Sequence, residues 1–228
     1  MISIICCTKR QDFMENVFQN YENQTWKRKE LIIILNKDHM DIKKWKARAE
    51  TVPNAFIYQL QEEKTLGECL NFGIEKARYN FIAKFDDDDY YAEKYLNDSM
   101  EVFNRVNVDL VGKRTIYMYF ENKKVLALHK PGKENRFVTQ GLKGATLIFK
   151  KEISEKILFP KLNLGEDTIF IRQCVKNGFK LYSMDRNNYV CLRTEKDGHH
   201  TWNIDNNILL KKSSIICETA DYKTFIQS

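Results

Sequence analysis

Apolar residues in the first hundred positions form short uninterrupted runs separated by amphipathic stretches. Ile2 to Cys7 reads as a buried strand, and Leu31 to Leu35 (L-I-I-I-L) as a central parallel strand covered on both faces. Ala55 to Leu60 and Asn80 to Phe85 read as a third and a fourth strand. Between them, Asp12 to Gln24, Asp41 to Val52 and Leu66 to Ala77 predict helices; the last carries Leu66, Leu70, Ile74 and Ala77 on one face. Such alternation implies βαβ units and a mostly parallel sheet.

From about residue 109 the runs shorten. Leu110 to Val111, Ile116 to Phe120 and Val125 to Leu128 predict short strands, the last two joined by a turn at Asn122-Lys123. His129 to Gly141 is polar and reads as a loop, and Ala145 to Phe149 as a strand. Asp167 to Asn177 predicts a helix stopped by Gly178, and Tyr189 to Leu192 a closing strand. The tail, including Ile208 to Cys217, reads as helical and peripheral. The expected fold class is α/β.

Composition narrows the class. Of 228 residues 43% are hydrophobic, with 14 Phe and 11 Tyr, enough to fill a sizeable core. No stretch approaches the ~20 apolar residues of a membrane span, and Met1 leads straight into a strand-like run, so a cytoplasmic protein is expected. The six cysteines form no C-x-x-C pair, which argues against a zinc or redox motif and for free thiols. A net charge of +6 fits a Lys-rich solvated surface, or attraction to a nucleotide, a polyanionic acceptor or the periphery of a membrane. With no compact basic helix and no RNA-binding motif, a nucleic-acid partner is not expected.

The chemistry begins after Phe85, where Asp86, Asp87, Asp88 and Asp89 follow one another. Adjacent carboxylates repel and raise one another's pKa unless partnered. Open α/β sheets bind ligands at the carboxyl ends of their strands, and hard divalent cations take carboxylate oxygens while keeping positions open for phosphate. The turn therefore reads either as a Mg²⁺ or Mn²⁺ site clamping a diphosphate, or as a solvated acidic turn. Glu166-Asp167 at a predicted helix start reads by itself as capping, with Gly165 allowing a close approach.

I-A-K-F-D-D-D-D-Y-Y (Ile82 to Tyr91) resembles the strand and acidic turn of family 2 glycosyltransferases, which have the GT-A fold. L-G-E-C-L-N-F-G-I-E-K-A (Leu66 to Ala77), S-I-I-C-C-T-K-R (Ser3 to Arg10), L-G-E-D-T-I-F-I-R (Leu164 to Arg172) and H-H-T-W (His199 to Trp202) are similar to further family segments, in the family's order. The resemblance implies one GT-A domain over 1–202, nucleotide-binding to about 108 and acceptor-side from about 109, with 203–228 as a helical extension. It implies an inverting enzyme that moves a sugar from a UDP-sugar to a hydroxyl of a glycan, lipid-linked or protein acceptor, as in cell-surface polysaccharide synthesis.

By the same resemblance, Asp86 and Asp87 lie at the nucleotide, Asp88 is the Mn²⁺ or Mg²⁺ ligand, and Thr8 and Arg10 line the base pocket. Leu66, Gly67 and Asn71 belong to the donor side. Asn36 stands where the family usually has a base-reading Asp, and it still offers a uracil both a donor and an acceptor. Asp167 is implied as general base with Glu166 beside it, and His200, ahead of His199, as a further metal or diphosphate ligand. Residues 194–202 are expected to close over the donor, with Trp202 as anchor; Arg172 and Arg193 are candidate diphosphate partners. Two competing readings are a sugar-phosphate nucleotidyltransferase, which would need a Gly-rich loop where this chain has T-K-R-Q-D-F, and a non-catalytic sugar-nucleotide-binding protein.

Overall fold

The computed structural model of the protein describes residues 1–194 and 204–227. The first half runs β1 (Ile2–Thr8), α1 (Met14–Glu22), β2 (Lys29–Leu35), α2 (Ile42–Glu50), β3 (Ala55–Gln59), α3 (Leu66–Lys76), β4 (Phe81–Phe85), β5 (Tyr90–Tyr91) and α4 (Tyr95–Arg105). Next come β6 (Leu110–Gly112), β7 (Ile116–Phe120), β8 (Val125–His129), β9 (Arg136–Val138), β10 (Ile148–Lys150), α5 (Glu166–Lys176), β11 (Leu181–Ser183) and β12 (Tyr189–Arg193). The tail holds α6 (Asn206–Lys211), β13 (Ser213–Glu218) and α7 (Lys223–Ile226).

β-branched runs with both faces covered make the central strands. Leu31, Ile33 and Leu35 of β2 belong to the core that also takes in α1, α2 and α4 on one face, while Ile32 and Ile34 belong to the core that takes in α3 and α5 on the other. The main sheet has the order β3-β2-β1-β4-β10-β6-β11-β9, and its first four strands are mutually parallel. From β1 the chain winds outward through β2 to β3, then crosses back to place β4 on the other side of β1. That reversal puts the ends of β1 and β4 at a topological switch point, where such sheets bind ligands. A capping box, Thr65 with Glu68, starts α3, the helix of that crossover.

The α/β class stands. β10 inserts antiparallel between β4 and β6, so strands from before and after residue 108 share one sheet. Other local expectations are corrected. The strand expected from Ala145 starts only at Ile148, because Gly144–Thr146 forms a 3-10 turn. The polar loop 129–141 contains β9, which pairs with β11. In the tail only α6 and α7 are helical within the described residues; Ser213–Glu218 is a strand on β8, in a second sheet of order β13-β8-β7-β12-β5. Ile226, fully buried, then packs with Tyr117, Tyr119, Leu126 and Leu128 and covers that sheet. Among the described residues no helix is long and apolar enough to cross a membrane.

Candidate functional site

Parallel register brings the ends of β1 and β4 together, with Cys6 opposite Phe85, so Thr8 and the acidic turn emerge side by side. Alternate carboxylates then diverge. Asp87 and Asp89 are buried, whereas the Asp86 and Asp88 side chains keep 38% and 13% of their exposure. Asp87 accepts from the Thr8 hydroxyl at 2.5 Å and from Arg10 Nε at 3.0 Å, and a second Arg10 nitrogen reaches its other oxygen. Burial pushes the Asp87 carboxyl up, against the opposing pull of Arg10. Asp89 accepts from Tyr189 Oη at 2.5 Å, and burial, then Asp88 and Asp86, raise its pKa well above the carboxylate range. Asn16 and Asn20 donate to the turn's carbonyls, so its backbone is fixed from α1. Arg10 also stands 3.1 Å from Asp88 Oδ2.

The second acidic pair sits at the start of α5. Gly165 caps the helix at φ +81, in the left-handed region that favours glycine. Among the described residues a Cβ there would meet nothing within 4 Å, so within the chain it is the backbone conformation that calls for glycine. Glu166 is buried, and burial raises its pKa while Lys84 opposes the rise. Asp167 is half-buried and accepts from the Thr168 N–H at 2.6 Å. Its carboxylate lies on Gly144 of the 3-10 turn before β10.

Sequence reasoning missed Lys84. This buried β4 lysine is 2.5 Å from Asp86 Oδ1; burial opposes its charge, but Asp86, Glu166 and Asp167 together outweigh it and raise its pKa. Its ammonium group thus pairs with Asp86 and lies within electrostatic reach of Glu166 and Asp167. The available signal was a lysine inside an apolar strand, I-A-K-F, since such a charge needs a partner.

Other expected site residues have structural partners. The Asn71 amide clamps Phe159, donating to its carbonyl and accepting from its N–H, both at 2.9 Å. Gly67 donates to Leu162 O, and a Cβ there would stand 1.8 Å from the Pro160 carbonyl. The Leu66 N–H donates to Asn163 Oδ1 at 2.9 Å. These three residues hold the 159–163 segment in the structure. Asn36 is buried beside Thr8, with Nδ2 on the Gln61 carbonyl at 2.8 Å. Arg172 is exposed on α5, and Arg193 binds Asn206 and the Ile204 carbonyl. His199, His200, Trp202 and all of the expected lid except Thr194 lie outside the described residues.

Among the described residues no group of three or more His, Cys, Asp or Glu converges as metal ligands. Asp88 nonetheless fits a hard divalent ion: it is a solvent-reaching carboxylate at the switch point, and it already faces a cation in Arg10.

The profile of the family described as "Glycosyl transferase family 2" matches residues 3–159. No curated protein matches the chain significantly. Among solved structures, S. aureus TarS 1-349 in complex with UDP-GlcNAc is similar, with TM-score 0.68 and 17% identity over 90% of this chain and 61% of that one. The same fragment in complex with UDP gives 0.68 and 17% over 84% and 60%. Mannosyltransferase PcManGT from Pyrobaculum calidifontis, in complex with GDP-Man and Mn²⁺, gives 0.62 and 17% over 88% and 59%. The chain therefore spans less than two thirds of these proteins' length. At such identity the likeness establishes the fold, that of GT-A glycosyltransferases.

Proposed function

The chain belongs to glycosyl transferase family 2, and from that premise we propose that it moves a sugar from a UDP-sugar to an acceptor hydroxyl, with inversion and with Mn²⁺ or Mg²⁺ at Asp88. One observation carries the reading: Lys84 at the end of β4 pairs with Asp86 at 2.5 Å, and its charge is raised also by Glu166 and Asp167 at the start of α5, so the two acidic segments lie within electrostatic reach of each other. The first suits a donor diphosphate, and the second a proton on the acceptor.

Asp167 takes the proton of the acceptor hydroxyl as that oxygen bonds to the anomeric carbon. The bond from that carbon to the diphosphate oxygen breaks, and the electron pair leaves with the nucleoside diphosphate. Attack from the face opposite the leaving group inverts the centre. A divalent ion at Asp88 supplies, when bound, neutralisation of the departing diphosphate. Arg10, paired with Asp87, holds the turn in shape. Asn36 leaves Oδ1 with no hydrogen bond among the described residues, an acceptor that suits a uracil N3–H. Six free thiols fit a reducing, cytoplasmic location.

A thermal-shift screen of UDP-, GDP- and CDP-sugars with and without Mn²⁺ tests the reading. Stabilisation by UDP-sugars only when Mn²⁺ is present is expected through linkage. A shift with none of them overturns it.

A further inference from the structure

Next to Asp167, the stretch 141–144 is joined to two others, 113–115 and 129–133. Thr115, fully buried, ties the latter two together: its hydroxyl donates to the Lys130 carbonyl at 2.6 Å and accepts from the Lys133 N–H at 3.2 Å. The first is held by the Lys143 N–H on the Lys113 carbonyl at 2.8 Å, and Leu142 packs against Gly112. Beside these anchors the stretches carry Arg114, Lys130 and Lys143. Residues 129–143 hold Lys130, Lys133, Arg136 and Lys143 against a single acid, Glu134.

Arg114 is the most informative of them. Its Nε is buried without a hydrogen-bond partner, and among the described residues no carboxylate pairs with its guanidinium. The group lies directly on Gly141, where a Cβ would stand 3.1 Å from Nε and 3.4 Å from Nη2. Its backbone is fixed in turn by Ser183 Oγ, 3.2 Å from the Arg114 N–H. Lys143, two residues beyond Gly141, is half-buried, and burial, then repulsion from Lys130, lowers its pKa while Asp167 pulls the other way. A solvated basic face would hydrate its donors. Here a guanidinium nitrogen is buried without a hydrogen bond, one residue from the Lys113 carbonyl that holds the Lys143 backbone, and an unmet buried donor costs free energy until an acceptor fills it. The guanidinium fork matches phosphate oxygens best.

We propose that the acceptor is anionic and that one of its phosphate groups seats between Arg114 and Lys143 while its hydroxyl reaches Asp167. The assignment rests on the glycosyl-transfer reading of the same site and adds the substrate class. Phosphate could arrive on a soluble or polymeric phosphodiester or on a lipid head group, and the test separates these.

Protein saturated with UDP and Mg²⁺ is titrated with sn-glycerol 3-phosphate and, separately, with maltotriose, while the amide resonances of Arg114, Gly141 and Lys143 are followed. Sedimentation with phosphatidylglycerol or phosphatidylcholine vesicles forms the second arm. We expect saturable shifts with glycerol phosphate only, weakened at least tenfold in Arg114→Gln and less in Arg114→Lys, with UDP affinity unchanged. Retention on phosphatidylglycerol vesicles alone, lost in Arg114→Gln, assigns the phosphate to a lipid. No response to either phosphate probe, an equal response to maltotriose, or a response abolished by UDP overturns the proposal. Failure of UDP itself to bind counts against the donor assignment and is read in the same sample before any phosphate is added.

Discussion

The Asp167 carboxylate lies so close to Gly144 that a Cβ there would stand 2.3 Å from Oδ2. Gly144 has no positive φ, so its backbone accepts alanine and only the carboxylate or the turn must move. A base misplaced by about 1 Å costs roughly 10²-fold in rate. Gly144→Ala should therefore lower kcat by about that factor and leave the donor KM nearly unchanged. Steady-state kinetics with the donor varied check this, and a raised donor KM at normal kcat would contradict it.

Asp167→Asn separates binding from chemistry. The base faces the acceptor, so UDP affinity should hold while turnover falls by ~10²–10⁴. Loss of UDP binding in this variant would make Asp167 a donor-side residue and pass the role of base to Glu166.

Lys84 pairs with Asp86 and lies within electrostatic reach of Glu166 and Asp167. Lys84→Met should cost on the order of 2 kcal/mol in chemical denaturation, less than a fully buried pair because the Asp86 side chain is 38% exposed. Lys84→Arg should recover most of the loss. Equal stability of the wild type and Lys84→Met would show that the ion pair contributes nothing.

His129 gives a pH signature. It is 3% exposed, with Nδ1 3.2 Å from Ser213 Oγ, and burial, then Lys143, Lys130 and Lys212, lower its pKa to about 4. A depressed histidine contributes its full stability above the unfolded value of about 6.5. Between there and about 4 the unfolded chain takes up a proton that the folded chain does not, so stability falls, by at most ~1.4 kcal/mol per pH unit. Denaturation of the wild type and His129→Gln at several pH values should show the wild type losing more across that window. Parallel curves would contradict the assignment.

What the sequence made legible was local. The runs Ile2–Thr8, Lys29–Leu35 and Phe81–Phe85 fold as strands because their period and branching leave no alternative, and the acidic turn follows from β4. Pairing between distant strands was not legible: nothing near Ile148 announces that it will lie between Ala83 and Val111. The tail strand is mostly exposed along an edge and lacks the alternation that would mark it. α4 has no side-chain cap to signal its start. At the site, residue types showed where acids gather but not which are internal, since Asp87 and Asp89 are set apart from Asp86 and Asp88 by their burial against Thr8, Tyr189 and the Leu192 N–H. Gly67 and Asn71 stand out in a family motif, while their contacts depend on the distant segment around Phe159 and Pro160.

Calorimetric titration of UDP into the wild type and Asp88→Ala, each in Mn²⁺ and in EDTA, tests the donor clamp most directly. The wild type should bind UDP at least about tenfold more tightly in Mn²⁺ than in EDTA, a difference of about 1.4 kcal/mol, and Asp88→Ala should bind weakly and equally in both. Equal wild-type affinity in Mn²⁺ and in EDTA would contradict a metal-held diphosphate at the end of β4.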